Sequence, residues 1–224
     1  MSILLAVDTS TARLGLALYD GTQVLAESLW VSRARHTVEL APALNELLGR
    51  TGISIHEIRA VGVALGPGSF TSLRVGLAFI KGLALARHLP VVGIPSLEVV
   101  AAPIPPADRE LAAVIPAGRG RLAVGWFRPA GTGWQAQGAA TAMSAEELEN
   151  SIHTPTIICG ELTASDRQTL ARKYKNVTLA SPAQCLRRPG VLAELAWRKW
   201  QANETDPVAT LAPIYLHVAG GLPA

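Results

Sequence analysis

The order in which the apolar pattern changes over the first hundred residues restricts this chain to few folds. Ile3–Thr9 is a continuous apolar run, Leu14–Tyr19 alternates, and Gln23–Val31 is a third β-prone stretch, each of strand length. Asp20-Gly21 between the second and third is a two-residue hairpin signal. The period then changes. Leu40, Leu44, Leu47 and Leu48 take the i, i+4, i+7, i+8 spacing of one buried helix face, and Gly52 ends that helix. Pro42 near its start must mark the first turn or kink it. Ser54-Ile-His-Glu57 fits a capping box for a short helical turn. Ala60–Leu65 is a buried strand, Ser69 caps a long helix to about His88, Pro90–Ile94 is a fifth strand, and Pro95-Ser96 opens another helix. Hairpins make the front of this sheet antiparallel, whereas strand–helix–strand crossovers need parallel neighbours. The result is a mixed sheet with helices on its faces.

Ala102-Pro-Ile-Pro-Pro106 is the natural break, which predicts lobes 1–102 and 103–224. Beyond it Leu111–Ile115, Leu122–Phe127 and Gly133–Ala140 read as strands, joined by turns at Gly118-Arg-Gly120 and Pro129–Gly131. Ser144–Glu147 opens a short helix, Thr156–Cys159 is a strand, Ser165–Tyr174 a helix and Val177–Leu179 a short strand. Val191–Asn203 is a helix with Trp197 and Trp200 on adjacent faces, and the tail from Asp206 is extended. This is a degraded copy of the first pattern, with no internal repeat visible in the residues.

Composition narrows the class. With 49% apolar and 17% charged residues in 224, the chain can bury a sizeable core and is not disordered. Residues 1–104 hold eight basic and seven acidic residues and the rest 12 and 10, a surplus of three, so neither half is a basic nucleic-acid module. The longest apolar helical stretch, Val75–Ala86, is cut by Lys81 and falls short of the ~20 residues of a membrane span. The apolar start Ile3–Val7 stops at Asp8 with no basic residue before it, unlike a secretory signal. Cys159 and Cys185 belong to no CxxC pair or zinc-spaced cluster and read as core thiols. A cytoplasmic location, with no membrane association, is expected.

Two segments could carry chemistry. Asp8-Thr-Ser-Thr11 follows the first strand, and Asp8, Ser10 and Thr11 are candidate nucleotide-binding residues, although the same residue types serve as ordinary turn formers. The first lobe has only one other aspartate, Asp20, in the hairpin turn, so a metal–nucleotide pocket would have to borrow from the second lobe. Gly66-Pro-Gly-Ser-Phe-Thr-Ser-Leu-Arg-Val-Gly76 is a strand, a glycine turn and a helix start, a geometry that can bind an anion. It matches neither the Walker pattern nor the dinucleotide fingerprint, and Ser69 is in no GxSxG elbow. Its helix is apolar nearly all round. Ala78, Gly82 and Ala86 form a smooth stripe, while Phe70, Leu73, Leu77, Ile80 and Leu83-Ala84 cover the remainder, so something besides its own sheet must cover it. The five histidines form no ligand pair, and His36 is placed to cap the first helix.

Ile3–Ser10, the Arg35-His-Thr37 to Leu40-Ala-Pro42 segment, GPGSFTSLRVG, Lys81-Gly-Leu-Ala84 and Val92-Gly-Ile-Pro-Ser96 together resemble the bacterial TsaB (YeaZ) family, over roughly residues 1–100. The resemblance implies an α/β, ASKHA (actin-like, ribonuclease-H-like) fold of two lobes with mixed sheets and helices on their faces. It implies a partner role in making N6-threonylcarbamoyladenosine in tRNA. The partners it implies are a TsaD-like transferase subunit, a TsaE-like ATPase, and a second copy as homodimer when the chain is alone; tRNA contact would be indirect or weak. Dimerisation would use the first two helices, about Thr37–Leu48 and Ser69–His88, with Leu40, Leu44, Leu47, Phe70, Leu73, Leu77 and Ile80 as partner-binding residues. TsaD-like enzymes read Asn-His-Leu-Glu-Gly-His after the fifth strand, where two histidines bind the catalytic metal. Here the run is Pro95-Ser-Leu-Glu-Val-Val100, with Ser96 and Val100 at the ligand positions. Valine cannot ligate a metal and a neutral serine is a poor ligand. No catalytic residue, metal site or cofactor is therefore expected. Three departures from the family stand out: Ser72 for glycine, Pro116-Ala-Gly-Arg119 for an Asp-Ala-Arg stretch, and His217 for arginine. The alternative reading is an ATP-dependent kinase or transferase of the same fold with its own nucleotide site.

Overall fold

Strands β1 (Ile3–Asp8), β2 (Arg13–Tyr19) and β3 (Val24–Val31) form an antiparallel meander at the start of the chain. The computed structural model describes residues 2–33, 35–173 and 175–216. The expected two-residue hairpin is instead a four-residue loop, because Tyr19 opposes Val24. Asp20 causes this. Its Oδ1 accepts from Thr22 N, Thr22 Oγ1 and Gln23 N, each at 2.8 Å, so a carboxylate shapes the loop, and Asp20 N donates to Gln23 O at 3.3 Å across its ends. Those donors favour the ionised carboxylate and lower its pKa to about 2.

Helix α1 (His36–Thr51) buries Leu40, Leu44 and Leu47, the stripe its periodicity requires, each worth ~1.5–3 kcal/mol relative to exposure. Gly52 ends it in a left-handed conformation, φ 68°. Pro42 lies inside this helix, on its exposed side, and the helix runs on past it to Thr51. The Ser54–Glu57 capping box is present. Then follow β4 (Ile58–Gly66), α2 (Phe70–Arg87), β5 (Val91–Pro95) and α3 (Ser96–Ala101). The sheet order is β3-β2-β1-β4-β5, with β1, β4 and β5 parallel as the crossovers demand.

The pleat sorts β1 between two cores. Ile3, Leu5 and Val7 join Leu14, Leu16 and Leu18 beneath α1 and α2. Leu4 and Ala6 join Ala17, Ala60, Val92 and Ile94 on the opposite face. What covers that second face corrects the domain boundary at residue 102. Helix α6 (Pro189–Gln201) lays Leu192, Ala193 and Ala196 on it, and Arg188–Ile214 belong with Met1–Val99 in one compact unit. A sheet with apolar side chains on both faces needs cover on both, and the first hundred residues supply helices for one. Trp197 meets Trp200 edge-to-face at 5.0 Å and Tyr19 at 5.6 Å.

The other unit comprises Val100–Arg187 with Tyr215 and Leu216. It holds β6 (Glu110–Gly118), β7 (Arg121–Ala130), β8 (Gly133–Ala136), β9 (Thr141–Met143), α4 (Ala145–Ser151), β10 (Thr156–Gly160), α5 (Ala164–Leu170) and β11 (Val177–Leu179). The expected strand Gly133–Ala140 is cut at Ala136, Gly138 turns with φ 77°, and β9 returns to pair with β7. Its sheet order, β8-β7-β6-β10-β11, has the sequence and sense of β3-β2-β1-β4-β5. The duplication invisible in the residues thus survives in the topology. Pro116-Ala-Gly-Arg119 forms the end of β6 and the tip of the β6–β7 hairpin. Tyr174 and His217 lie outside the described residues. Among the described residues no helix is long and apolar enough to cross a membrane.

Two outcomes follow. Residues 1–102 alone should be insoluble or bind the dye ANS, whereas 1–102 joined by a flexible linker to 188–214 should unfold cooperatively; cooperative unfolding of 1–102 by itself would contradict the assignment of α6. The depressed Asp20 pKa contributes stability that is present above its unfolded value of 3.8 and lost as pH falls through about 2. Carboxyl NMR titration should place its midpoint near 2, and Asp20→Asn should flatten that limb of the stability profile.

Candidate functional site

The turn after β1 is built against the start of α2. Ser10 N donates to Asp8 Oδ1 at 2.8 Å, closing an Asx turn. Ser69 N donates to Ser10 O at 2.7 Å, and Thr9 Oγ1 donates to Ser72 O at 2.8 Å. Ser10 Oγ lies 2.6 Å from Ser96 Oγ, which also accepts Gly66 N at 3.0 Å. Four segments, the β1 end, the β4 end, the α2 start and the α3 start, therefore meet through short polar contacts. The glycines of GPGSFTSLRVG permit this approach. A Cβ on Gly68 would stand 2.1 Å from Ser10 O, and one on Gly76 would stand 2.2 Å from Thr9 Oγ1.

Asp8, Ser10 and Thr11 are thus brought together, but as buried parts of this junction. Asp8 Oδ1 and the Ser10 hydroxyl bond inside the unit, and Thr11 Oγ1 accepts Arg13 N at 3.1 Å. The Ser10 hydroxyl is thereby tied to the start of α3, while Asp8 Oδ1 and Thr11 Oγ1 each accept from a backbone amide two residues on. His36 is not a helix cap. Its ring is buried and Nε2 lies 3.0 Å from Thr11 O; a carbonyl only accepts, so Nε2 carries the proton. Ser96 is committed to Ser10 and Gly66, and Val100 is buried. Among the described residues no group of three or more His, Cys, Asp or Glu could hold a metal ion. Glu98 beside them has its carboxyl pushed up by burial, against the opposing charge of Lys199.

The outer faces of α1 and α2 differ in character. Leu40, Leu44, Leu47, Leu77 and Ile80 belong to the unit's own core, and Leu73 is 1% exposed. Six of the seven expected partner-binding side chains are therefore turned inward, because the period that marks a helix as amphipathic marks the side facing its sheet. Phe70, at 52% exposure, is the exception. It opens a groove of about 480 Å³ lined by Thr37, Ala41, Arg74, Val75, Ala78 and Phe79, among others. Arg74 stacks its guanidinium 3.9 Å above the Phe70 ring and is the one charged residue in the lining. Ala78, Gly82 and Ala86 are all exposed, and a Cβ on Gly82 would meet nothing within 4 Å. The smooth stripe read from the sequence is thus the open side of α2. Thr37 and Ala41 are too small to mark a face in the sequence, Val75 and Phe79 merge with the apolar helix around them, and Arg74 lies on the line of Phe70 and the stripe at i, i+4 spacing.

A family model described as TsaD, tRNA N6-adenosine threonylcarbamoyltransferase, matches residues 24–217. The tRNA threonylcarbamoyladenosine biosynthesis protein TsaB of Bacillus subtilis (strain 168) is 30% identical over 220 residues, 96% of this chain and 94% of that protein. The chain belongs to the TsaB family. The solved structure of YeaZ from Pseudomonas aeruginosa superposes with a TM-score of 0.74 at 22% identity, covering 96% of this chain and all of that one. The ROK hexokinase from Thermus thermophilus superposes with a TM-score of 0.50 at 11% identity, over 89% of this chain and 99% of that one. At such identities these likenesses concern the fold, and they agree with the two-lobed actin-like α/β architecture. The likeness to TsaB extends well beyond residue 100, where the sequence motifs become faint. In this TsaB chain the GPGSFTSLRVG motif acts first as a packing device.

Gly76→Ala should destabilise the protein by ~1–3 kcal/mol in urea unfolding, as overpacking does. Adding Thr9→Ala, which removes the colliding oxygen, should restore part of the loss. An unchanged midpoint for Gly76→Ala would show that the turn and helix are not in contact.

Proposed function

We propose that this chain is a non-catalytic subunit of the cytoplasmic machinery that makes N6-threonylcarbamoyladenosine in tRNA, and that it holds a TsaD-like transferase subunit against the outer faces of α1 and α2. One observation carries the reading: an apolar groove on two otherwise well-packed helices, flanked by the small-residue stripe Ala78, Gly82 and Ala86. Small residues let a partner helix approach closely, and Phe70 supplies an aromatic anchor for the centre of an interface. Family membership supplies the pathway, since the Bacillus subtilis relative is named for threonylcarbamoyladenosine biosynthesis. Ser96 and Val100 at the metal-ligand positions support a non-catalytic role. With a net charge of +3, tRNA contact would be weak or through the partner. A TsaE-like ATPase is a further partner on this reading, and a second copy can occupy the groove when the transferase is absent.

Co-expression with a TsaD-like subunit followed by gel filtration tests this. The wild-type chain should co-elute with it at micromolar concentration. Ala78→Arg, at an exposed position, should abolish co-elution without changing the circular dichroism spectrum. Leu77→Asp should unfold the chain, because it buries an unpaired charge in the core. Two separate peaks for the wild-type pair, or transferase turnover by this chain unaided, would overturn the proposal. Tight calorimetric binding of Mg-ATP to the isolated chain would favour the nucleotide-using alternative.

A further inference from the structure

The first sheet ends on β5 at the side away from β3, and the chain returns to that edge after α6. Asp206 meets it as a single antiparallel bridge. Its N–H donates to Val91 O at 2.8 Å, and its Oδ2 accepts Gly93 N at 2.7 Å. A carboxylate thus stands where the carbonyl of a further strand would, and Pro95, two residues on, has no N–H to satisfy. The chain then turns, with Thr210 N and Leu211 N donating to Pro207 O at 3.2 and 3.0 Å. That turn places Leu211, 8% exposed, and the half-buried Val208 in the core that holds Leu77 and Ile80 of α2. Lys81 Nζ donates to Ala209 O at 3.4 Å. Ile214 N donates to Leu65 O at 2.7 Å. A Cβ on Gly66 would stand 2.7 Å from Ile214 O and 2.9 Å from Leu73 Cδ1, so Ile214 lies against the turn that opens α2. Val91 is paired with Val61 and Pro95 with Gly66, so residues 206–214 touch both ends of the β4–β5 pair.

We infer that residues 206–214 are a clasp that closes the β5 edge and keeps the Gly66 turn shut beneath the start of α2, with Asp206 as a positioning residue for the docking groove. The clasp is fastened at Asp206, Leu211 and Ile214, while Pro207, Ala209, Thr210 and Ala212 between them are exposed. A segment held at separate points opens locally, without unfolding the unit it lies on. Opening it frees Leu65 O and removes the backbone that lies against Gly66. Leu73, whose side chain meets the same glycine, follows Phe70 by one turn of α2. The Thr9-Ser10 turn sets where α2 begins, and the clasp holds the segment that delivers the chain to it. Asp206 lines no part of the groove beside Phe70, so its influence there passes through the clasp. The consequence for transferase binding rests on the docking reading proposed above; the consequence for α2 does not.

Asp206→Ala and Asp206→Asn in the full chain separate a clasp from a merely packed tail. Asparagine keeps an oxygen that can accept Gly93 N, and alanine does not. In amide hydrogen exchange of the isolated chain, Asp206→Ala should exchange about tenfold faster at Gly93, at Ile214 and over residues 68–73, with β1 and β2 as slow as in the wild type. It should bind a TsaD-like subunit about tenfold more weakly by sedimentation, and Asp206→Asn should restore both readouts. Unchanged exchange over residues 68–73, equal acceleration in β1 and β2, or wild-type affinity in folded Asp206→Ala would overturn the inference. Should Asp206→Ala unfold, Ile214→Pro, which removes the N–H bonded to Leu65 O at the other end, decides by the same exchange over residues 68–73. If the wild-type pair does not associate, the docking reading fails and the exchange measurement alone judges the clasp.

Discussion

Everything on the outer side of the first unit depends on one close contact, that of the Thr9-Ser10 turn with the first turns of α2. Gly68 and Gly76 have no side chain because Ser10 O and Thr9 Oγ1 occupy the space. This contact fixes both the height and the rotation of α2 on its sheet. Leu73, Leu77 and Ile80 then point into the core, and Phe70, Arg74 and Ala78 point out. The serine pair Ser10–Ser96 extends the same junction to α3. Side chains that could have held a phosphate or a metal in a catalytic relative serve here as internal struts.

The division of labour between scaffold and surface follows. The sheet is covered on one face by α1 and α2 and on the other by α6, which reaches it from beyond residue 187. Because α6 takes the far face, it does not cover the backs of α1 and α2. The apolar groove there is the surface that the proposed function uses.

Much of the first unit is legible in the residues because its elements are local. The hairpin strands, the capped helix starts and the two crossover helices each announce themselves within a dozen residues, through period, glycine and cap. The GPGSFTSLRVG segment is legible as a constrained turn and helix start, though not as the packing counterpart of residues 9 and 10, since that pairing spans some sixty positions. Six of the seven candidate partner-binding residues lie on the buried faces of α1 and α2. Leucines repeating at helical spacing identify the buried face of a helix, and the groove lined by Thr37, Ala41, Arg74 and Ala78 carries no such repeat.

By itself the sequence determined the order and type of the elements, the mixed sheet that their connections require, the family, and the smooth stripe on α2, because each depends on neighbouring residues or on a distinctive motif. Only the tertiary structure decided that α6 belongs to the first sheet, that the second sheet repeats the strand order of the first, and that Asp8, Ser10 and Ser96 face inward. Those outcomes depend on which surfaces meet across long stretches of chain, and such meetings are settled by shape and burial in space rather than by periodicity along the backbone.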